Sequence, residues 1–267
     1  MSHRLSICIV VRNAATGLEL TFRSLRGQIR ELETLGCELV IVDGESEDGS
    51  LAVARAHISS LPASIGSQLI SQPPKGIYAA MNAAWQRATS PWLLFLNAGD
   101  LLLHASYLAD GLDLAEVRQA ASIQFGAAIF PPGCRVGAWI PKLPLACHQA
   151  LVYQRDLHTQ FGPYDERLLI CADTLFMKAF ASLRRHDERH LLSATEVSPA
   201  NASRDPDRVS MDLATVDALQ LPIDPWPRRR LTLLLLGLER RLGFSLSVWL
   251  RLALAMLIGQ ARIVRLG

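Results

Sequence analysis

The 267-residue chain contains no C-x-x-C pair, and its five cysteines (Cys8, Cys37, Cys134, Cys147, Cys171) are odd in number and far apart. That argues against a zinc site and a disulfide framework and fits a reducing cytoplasm. No G-x-G-x-x-G follows the first apolar run, where Val11, Arg12, Asn13, Ala14 and Ala15 stand instead, and no G-x-x-x-x-G-K-[ST] occurs. A dinucleotide oxidoreductase and a P-loop enzyme are therefore disfavoured. The acid-rich stretch 42–50 lacks the spacing and terminal Glu of a calcium loop. The N-terminus has no signal-peptide pattern: its apolar run is short, Arg12 follows, and no small-residue cleavage site appears. There is no internal repeat and no low-complexity segment.

What the chain does have is apolar residues, half of the total, and an uneven spread of charge. The formal net charge is only +2, yet the stretch from Pro225 onward carries eight Arg against one Glu. A mildly acidic body thus precedes a basic, apolar tail. Residues 222–227 (PIDPWP) mark the break, which divides the chain into a body, 1–221, and a tail, 222–267.

Within the body, apolar runs alternate with helical patterns. Residues 5–11 (LSICIVV), 38–42 (ELVIV), 68–71 and 92–96 (WLLFL) read as strands, the continuous ones buried on both faces. Helices are expected over 17–35, 50–60 and 77–88. This β-α-β rhythm predicts an α/β domain with a mainly parallel sheet covered by helices. Later, 122–130 and 135–140 read as two strands joined by Pro131-Pro132-Gly133, and 172–183 as a helix.

Two of the four early strands run into an acid: Asp43 after ELVIV and Asp100 after LLFLN. In open parallel sheets ligands sit beyond the carboxyl ends of the strands. Adjacent strand ends would bring these acids to one rim, with Gly44 and Gly99 letting the backbone turn and a ligand approach. Taken singly, each acid is an ordinary turn or cap residue.

Four blocks in order, SICIVVRNAATGLELTFRSL, ELVIVDGESEDGS, KGIYAAMNAAW and WLLFLNAGD, followed by CHQALVYQRDLHTQFGPYDERLLICADTLF, resemble the family 2 glycosyltransferases of the A-type fold. The resemblance covers roughly residues 4–200 and is nearest to the branch that builds exopolysaccharides of the colanic acid type. It implies a single Rossmann-like, nucleotide-sugar-binding domain. By position, Asp43 matches the acid holding base and ribose, and Lys75, Gly76 and Tyr78 match the loop lining the donor site. Asn97 and Asp100 fall in the D-x-D region, Asp100 matching its metal-coordinating last acid. His148 and Gln149 match a pair near the sugar or acceptor, and Asp173 matches the catalytic base. The cofactor implied is Mg²⁺ or Mn²⁺, and the reaction an inverting transfer from a nucleotide-sugar, a UDP-sugar being favoured, to a lipid-linked saccharide. Where the family commonly has acids, this chain has Pro74, Ala79 and Ala98. The alternatives are transfer to polyprenyl phosphate and a non-catalytic nucleotide-sugar-binding protein. No nucleic-acid partner is expected.

In the tail, Arg229, Arg240, Arg251 and Arg262 recur every eleven residues, close to three helical turns at ~3.6 residues each. Its longest uncharged run, 252–261, is about ten residues, short of the ~20 that a spanning helix needs. An amphipathic helical tail over 228–267, lying on an anionic membrane surface at the inner face of the plasma membrane, is therefore expected.

Overall fold

A computed structural model of the chain describes residues 3–130, 136–140, 148–196, 206–221 and 262–265. The elements run β1 (Leu5–Val11), α1 (Ala15–Arg26), α2 (Ile29–Leu35), β2 (Cys37–Asp43), α3 (Ser50–Ser59), β3 (Gly66–Ser71), α4 (Ile77–Arg87) and β4 (Trp92–Phe95). They continue with β5 (Leu101–Leu102), α5 (Ser106–Val117), β6 (Ser122–Phe130), β7 (Val136–Ile140), a 3₁₀ turn (His148–Ala150), β8 (Leu151–Gln154) and α6 (Leu157–Phe161). Last come α7 (Ala172–Ala179), β9 (Arg185–Glu196), α8 (Pro206–Ala218) and β10 (Arg262–Arg265).

One ten-stranded sheet organises the molecule, in the order β10-β7-β6-β8-β4-β1-β2-β3, with β9 beside β6 and β5. Strands β3, β2, β1 and β4 are mutually parallel, as the β-α-β rhythm predicts. Every residue of β1, β2 and β4 is buried, as their continuous apolar runs require. Beyond β4 the sheet is mixed. β8 and β7 run antiparallel to their neighbours, while β9 runs parallel to β6 across a bulge. The β6–β7 pairing matches the hairpin read from the sequence, whose Pro-Pro-Gly turn lies outside the described residues. β1 lies between β2 and β4, so the two acid-bearing strands share a rim without being neighbours.

Two apolar clusters fill the faces of the sheet. One packs Leu18, Phe22 and Leu25 of α1 and Leu108 and Leu112 of α5 against Ile7, Ile9 and Ile41. The other packs Tyr78 and Met81 of α4 and Phe176 and Phe180 against Cys8, Val40 and Phe95. The helix expected over 17–35 is two helices, because the chain breaks at Gly27 and Gln28 to start α2. The helix expected to reach residue 183 ends at Ala179, where the chain turns toward β9.

Most of the tail lies outside the described residues. Its one described segment corrects the helical reading there: Arg262–Arg265 is a strand, antiparallel to β7. Its backbone pairs with that of β7, whose edge would otherwise carry unpaired groups on that side. Arg262 therefore leaves the eleven-residue helical stripe. Among the described residues, no helix is long and apolar enough to cross a membrane.

Candidate active site

The site lies at the carboxyl rim of the parallel strands. Asp43 closes β2 and is fully buried. Its Oδ2 accepts the Ser46 N–H at 3.0 Å, and its Oδ1 has no partner among the described residues. A buried unpaired carboxylate oxygen is costly. The loops after β1 and β2 are laced together around it. Asn13 Oδ1 accepts the Glu47 N–H and Asp48 Oδ2 accepts the Ala15 N–H at the start of α1.

Beside this rim opens a cavity of about 620 Å³, within the ordinary size of ligand sites. Val10, Val11, Arg12 and Gly44 line it from the strand ends, and Gln72, Lys75, Gly76, Ile77 and Tyr78 from the entry to α4. Its far wall is Glu166, Leu168 and Leu169 with Arg208 and Met211 of α8. Asp212 of α8, fully buried, accepts the Leu169 and Ile170 N–H groups at 2.7 and 2.9 Å. That contact pins the loop leading into α7.

Tyr78 links the cavity to a second cluster. Its hydroxyl donates to Asp173 Oδ1 at 3.1 Å. Asp173 sits in the first turn of α7, where Oδ1 also accepts the Thr174 N–H at 2.7 Å and the helix dipole favours an anion. His148 Nδ1 donates to Asp173 Oδ2 at 2.8 Å. On the other side of the ring, Asn97 Nδ2 donates to His148 Nε2 at 3.2 Å, leaving Asn97 Oδ1 without a partner among the described residues. The Asn97 backbone N–H donates to Asp100 Oδ2 at 2.9 Å. Gln149 and Thr195 of β9 also hydrogen-bond the Asp100 side chain.

The electrostatics follow from this chain of contacts. Burial pushes the Asp173 carboxyl upward, but the His148 bond and charge, the Thr174 N–H and the Tyr78 hydroxyl outweigh it and hold it below the usual range. Burial pushes His148 down, but the Asp173 bond and the charges of Asp173 and Asp100 hold it above the usual imidazole value. Asp100, 4 % exposed, is raised by burial despite the nearby His148 charge and its hydrogen bonds. Burial raises the Tyr78 hydroxyl well above a free phenol, so it stays a proton donor.

Among the described residues no group of three or more His, Cys, Asp or Glu is arranged to hold a metal. Oxygen donors are present in the Asp100 carboxylate, which the Asn97 N–H, Gln149 and Thr195 already hydrogen-bond, and in the unpaired Asn97 Oδ1. That donor set fits Mg²⁺ or Mn²⁺ when a substrate's oxygens and water complete the shell.

The residues expected from the sequence fall into two neighbouring groups. Asp43 ends β2 at the rim, and Lys75, Gly76 and Tyr78 line the cavity; Asn97, Asp100, His148, Gln149 and Asp173 form the cluster beyond Tyr78. His148, taken alone in an apolar stretch, looks like a core histidine; only the fold sets it between Asp173 and Asn97. Sequence reasoning missed Arg12, Glu166, Arg208, Met211 and Thr195. Arg12 and Glu166 lie inside the resembling blocks but were given no role there, Arg208 and Met211 lie in none, and Thr195 belongs to β9, which opens with the charged run RHDERH. Of the positions where the family has acids, Pro74 lines the cavity, Ala79 is buried in the first turn of α4, and the Ala98 N–H bonds to Val10 O at 3.3 Å.

A parallel β-α-β half bearing two acids on its rim, joined to a mixed half with a third acid in α7, is the A-type glycosyltransferase fold. Solved structures agree. The mannosyltransferase PcManGT from Pyrobaculum calidifontis, in complex with GDP-Man and Mn²⁺, superposes with a TM-score of 0.62 at 15% identity, covering 92% of this chain and 72% of that one. S. aureus TarS 1-349 in complex with UDP superposes at 0.60 and 16% identity, covering 83% and 67%. The chain belongs to glycosyl transferase family 2, whose profile matches residues 6–157. Curated relatives include a PGL/p-HBAD biosynthesis glycosyltransferase of Mycobacterium bovis and one of Mycobacterium tuberculosis, each 34% identical over 177 residues. The match covers 63% of this chain and 66% of each relative, so it spans just under two thirds of their length. These relatives are named for PGL/p-HBAD biosynthesis, not for exopolysaccharides of the colanic acid type.

Proposed function

We propose that this chain is an inverting, metal-dependent glycosyltransferase acting on a nucleoside-diphosphate sugar. The observation that carries the reading is the continuous chain Tyr78–Asp173–His148–Asn97–Asp100, which runs from the cavity wall to the buried Asp100 carboxylate. The base and ribose would occupy the cavity against the free oxygen of Asp43, beside Lys75 and Gly76. Asp100 and Asn97 Oδ1 would hold Mg²⁺ or Mn²⁺, and the chemistry supplied there would be Lewis-acid stabilisation of the charge on the departing diphosphate. The acceptor hydroxyl attacks the anomeric carbon, the bond to the diphosphate breaks with its electron pair, and the hydroxyl proton passes to the enzyme. A single displacement inverts the configuration.

Asp173 is the proposed base. A second reading has a specific observation in its favour: both Asp173 oxygens are already engaged, which lowers its basicity. In that reading His148 takes the proton and Asp173 orients the ring. Replacing Asp173 by Asn and His148 by Gln separates the two. Loss of the base should cost on the order of 10²–10⁴-fold in turnover with donor binding kept. Unchanged turnover in Asp173→Asn would sink its role as base and as orienting group.

The acceptor is proposed to be a lipid-linked saccharide or glycolipid of the cell surface, in an exopolysaccharide pathway or in glycolipid assembly like that of the mycobacterial relatives. The basic, apolar sequence from residue 228 supports a place at the anionic inner face of the plasma membrane, with the chain in the cytoplasm. Thermal shifts with UDP, GDP, dTDP and CMP, each with and without Mn²⁺, test the donor class. A nucleotide at about 100 times its Kd adds about 2.7 kcal/mol. No shift with any of them would count against a nucleotide-sugar enzyme.

A further inference from the structure

Helix α1 carries Gly17, Thr21 and Ser24, spaced three or four apart and hence on one side of the helix, and Gln28 follows at the break before α2. A polar stripe of this kind ordinarily faces water. Here every member meets the backbone of segment 97–105. A Cβ on Gly17 would lie 3.3 Å from Gly99 N and 3.4 Å from Ala98 O, so the missing side chain is what lets the helix approach. Thr21, fully buried, accepts the Gly99 N–H at 2.9 Å, and its hydroxyl faces Gly17 O and Asn97 O at 3.3 and 3.4 Å. Ser24 Oγ accepts the Leu102 N–H at 3.0 Å and donates to Thr21 O at 2.7 Å. Gln28, at the break between α1 and α2, donates to Leu102 O at 2.5 Å and accepts the Ala105 N–H.

The segment needs such a partner. It holds only the two-residue strand β5, paired on one side with β9. Gly99 takes a φ of +105°, a left-handed conformation with little local preference behind it. Side-chain hydroxyls and one amide supply on its other side the donors and acceptors that a neighbouring strand would have supplied.

We propose that Gly17, Thr21, Ser24 and Gln28 form a template that positions the loop carrying Asp100, and that they govern its affinity for a divalent cation. This rests on the reading of Asp100 as the metal-holding carboxylate. The four are positioning residues, with no contact to substrate required.

The test uses the full chain and two readouts: amide hydrogen exchange at Gly99 and Leu102, and Mn²⁺ affinity measured calorimetrically in excess UDP. Thr21→Val keeps the shape and leaves the Gly99 N–H unpaired; Thr21→Ser keeps the hydroxyl. Exchange at Gly99 should rise roughly tenfold in Thr21→Val and return toward normal in Thr21→Ser, with Mn²⁺ affinity falling roughly tenfold in parallel. Ser24→Ala, at a less buried position, should loosen Leu102 in the same way and serves if Thr21→Val does not fold. Unchanged exchange in these variants overturns the proposal. So does faster exchange with unchanged Mn²⁺ affinity, if Asp100→Asn abolishes Mn²⁺ binding. If Asp100→Asn leaves Mn²⁺ binding intact, the reading of Asp100 has failed by itself, and the exchange result alone decides whether α1 positions the loop.

Discussion

Acidification from about pH 7.5 to about pH 5 should remove several kcal/mol of stability, through two buried neutral histidines. His158 is stacked between Trp85 and Phe176, with ring centroids 4.5 and 4.1 Å away. Its Nδ1–H donates to Gly162 O at 3.2 Å and its Nε2 accepts the Tyr153 hydroxyl at 2.9 Å. Tyr164 then donates to the Tyr153 oxygen at 2.8 Å, so a neutral ring satisfies the whole network. A second ring proton would force the Tyr153 hydroxyl to turn around. Burial lowers His158 from 6.5 to about 4. His57, stacked on Phe22 at 3.9 Å with Arg26 beside Nδ1, is lowered from 6.5 to about 4 by burial and then by the Arg26 charge. The unfolded chain binds these protons from about pH 6.5 downward and the folded chain only near pH 4. Stability therefore falls with pH through that window, by roughly 2 kcal/mol per histidine at pH 5 and about 3 in the limit.

His148, raised in the fold, has the opposite sign: its contribution is present at low pH and fades as pH rises through its folded value. Comparing wild type with His158→Gln cancels that background. Urea unfolding at about pH 7.5, 6 and 5 should show a shallower pH dependence in His158→Gln, by roughly 2 kcal/mol over the range. Parallel pH curves for the two proteins would refute the assignment of the proton to His158.

Two further perturbations bear on the frame that holds the site. Glu38, buried at the amino end of β2, accepts from Ser6 Oγ at 2.5 Å and from the Thr89 and Ser90 N–H groups at 2.6 and 3.1 Å. Glu38→Ala strands those donors and should cost roughly 3 kcal/mol in urea unfolding; a cost below about 0.5 would show that water replaces the carboxylate. Gly111 of α5 packs on Phe125, where an added Cβ would lie 2.7 Å from the ring edge. Gly111→Ala should destabilise by about 1–3 kcal/mol through overpacking, and a rise in stability would mean that Phe125 yields freely.

The parallel half of the fold was readable because its strands are continuous apolar runs between helices of clear period. LSICIVV matches β1 residue for residue, and the acids beyond two of the runs mark the rim. The mixed half was harder. β9 opens with charged residues, yet pairs along β6 because the bulge and the partner strand set its register. The polar residues of α1 had no sequence signal either, since Thr, Ser and Gln at helical spacing look the same facing water or facing a loop.

By itself, then, the sequence determined the buried parallel strands and the family, and put Asp43, Asp100 and Asp173 forward as candidates, because hydropathy period and motif spacing are local properties. Tertiary structure alone decided that β1 separates the two acid-bearing strands, that His148 lies between Asp173 and Asn97, and that residues 262–265 join the sheet beside β7. Each of those depends on pairing between residues far apart in the chain. The free energy of such pairing comes from contacts that exist only once the sheet has closed around them.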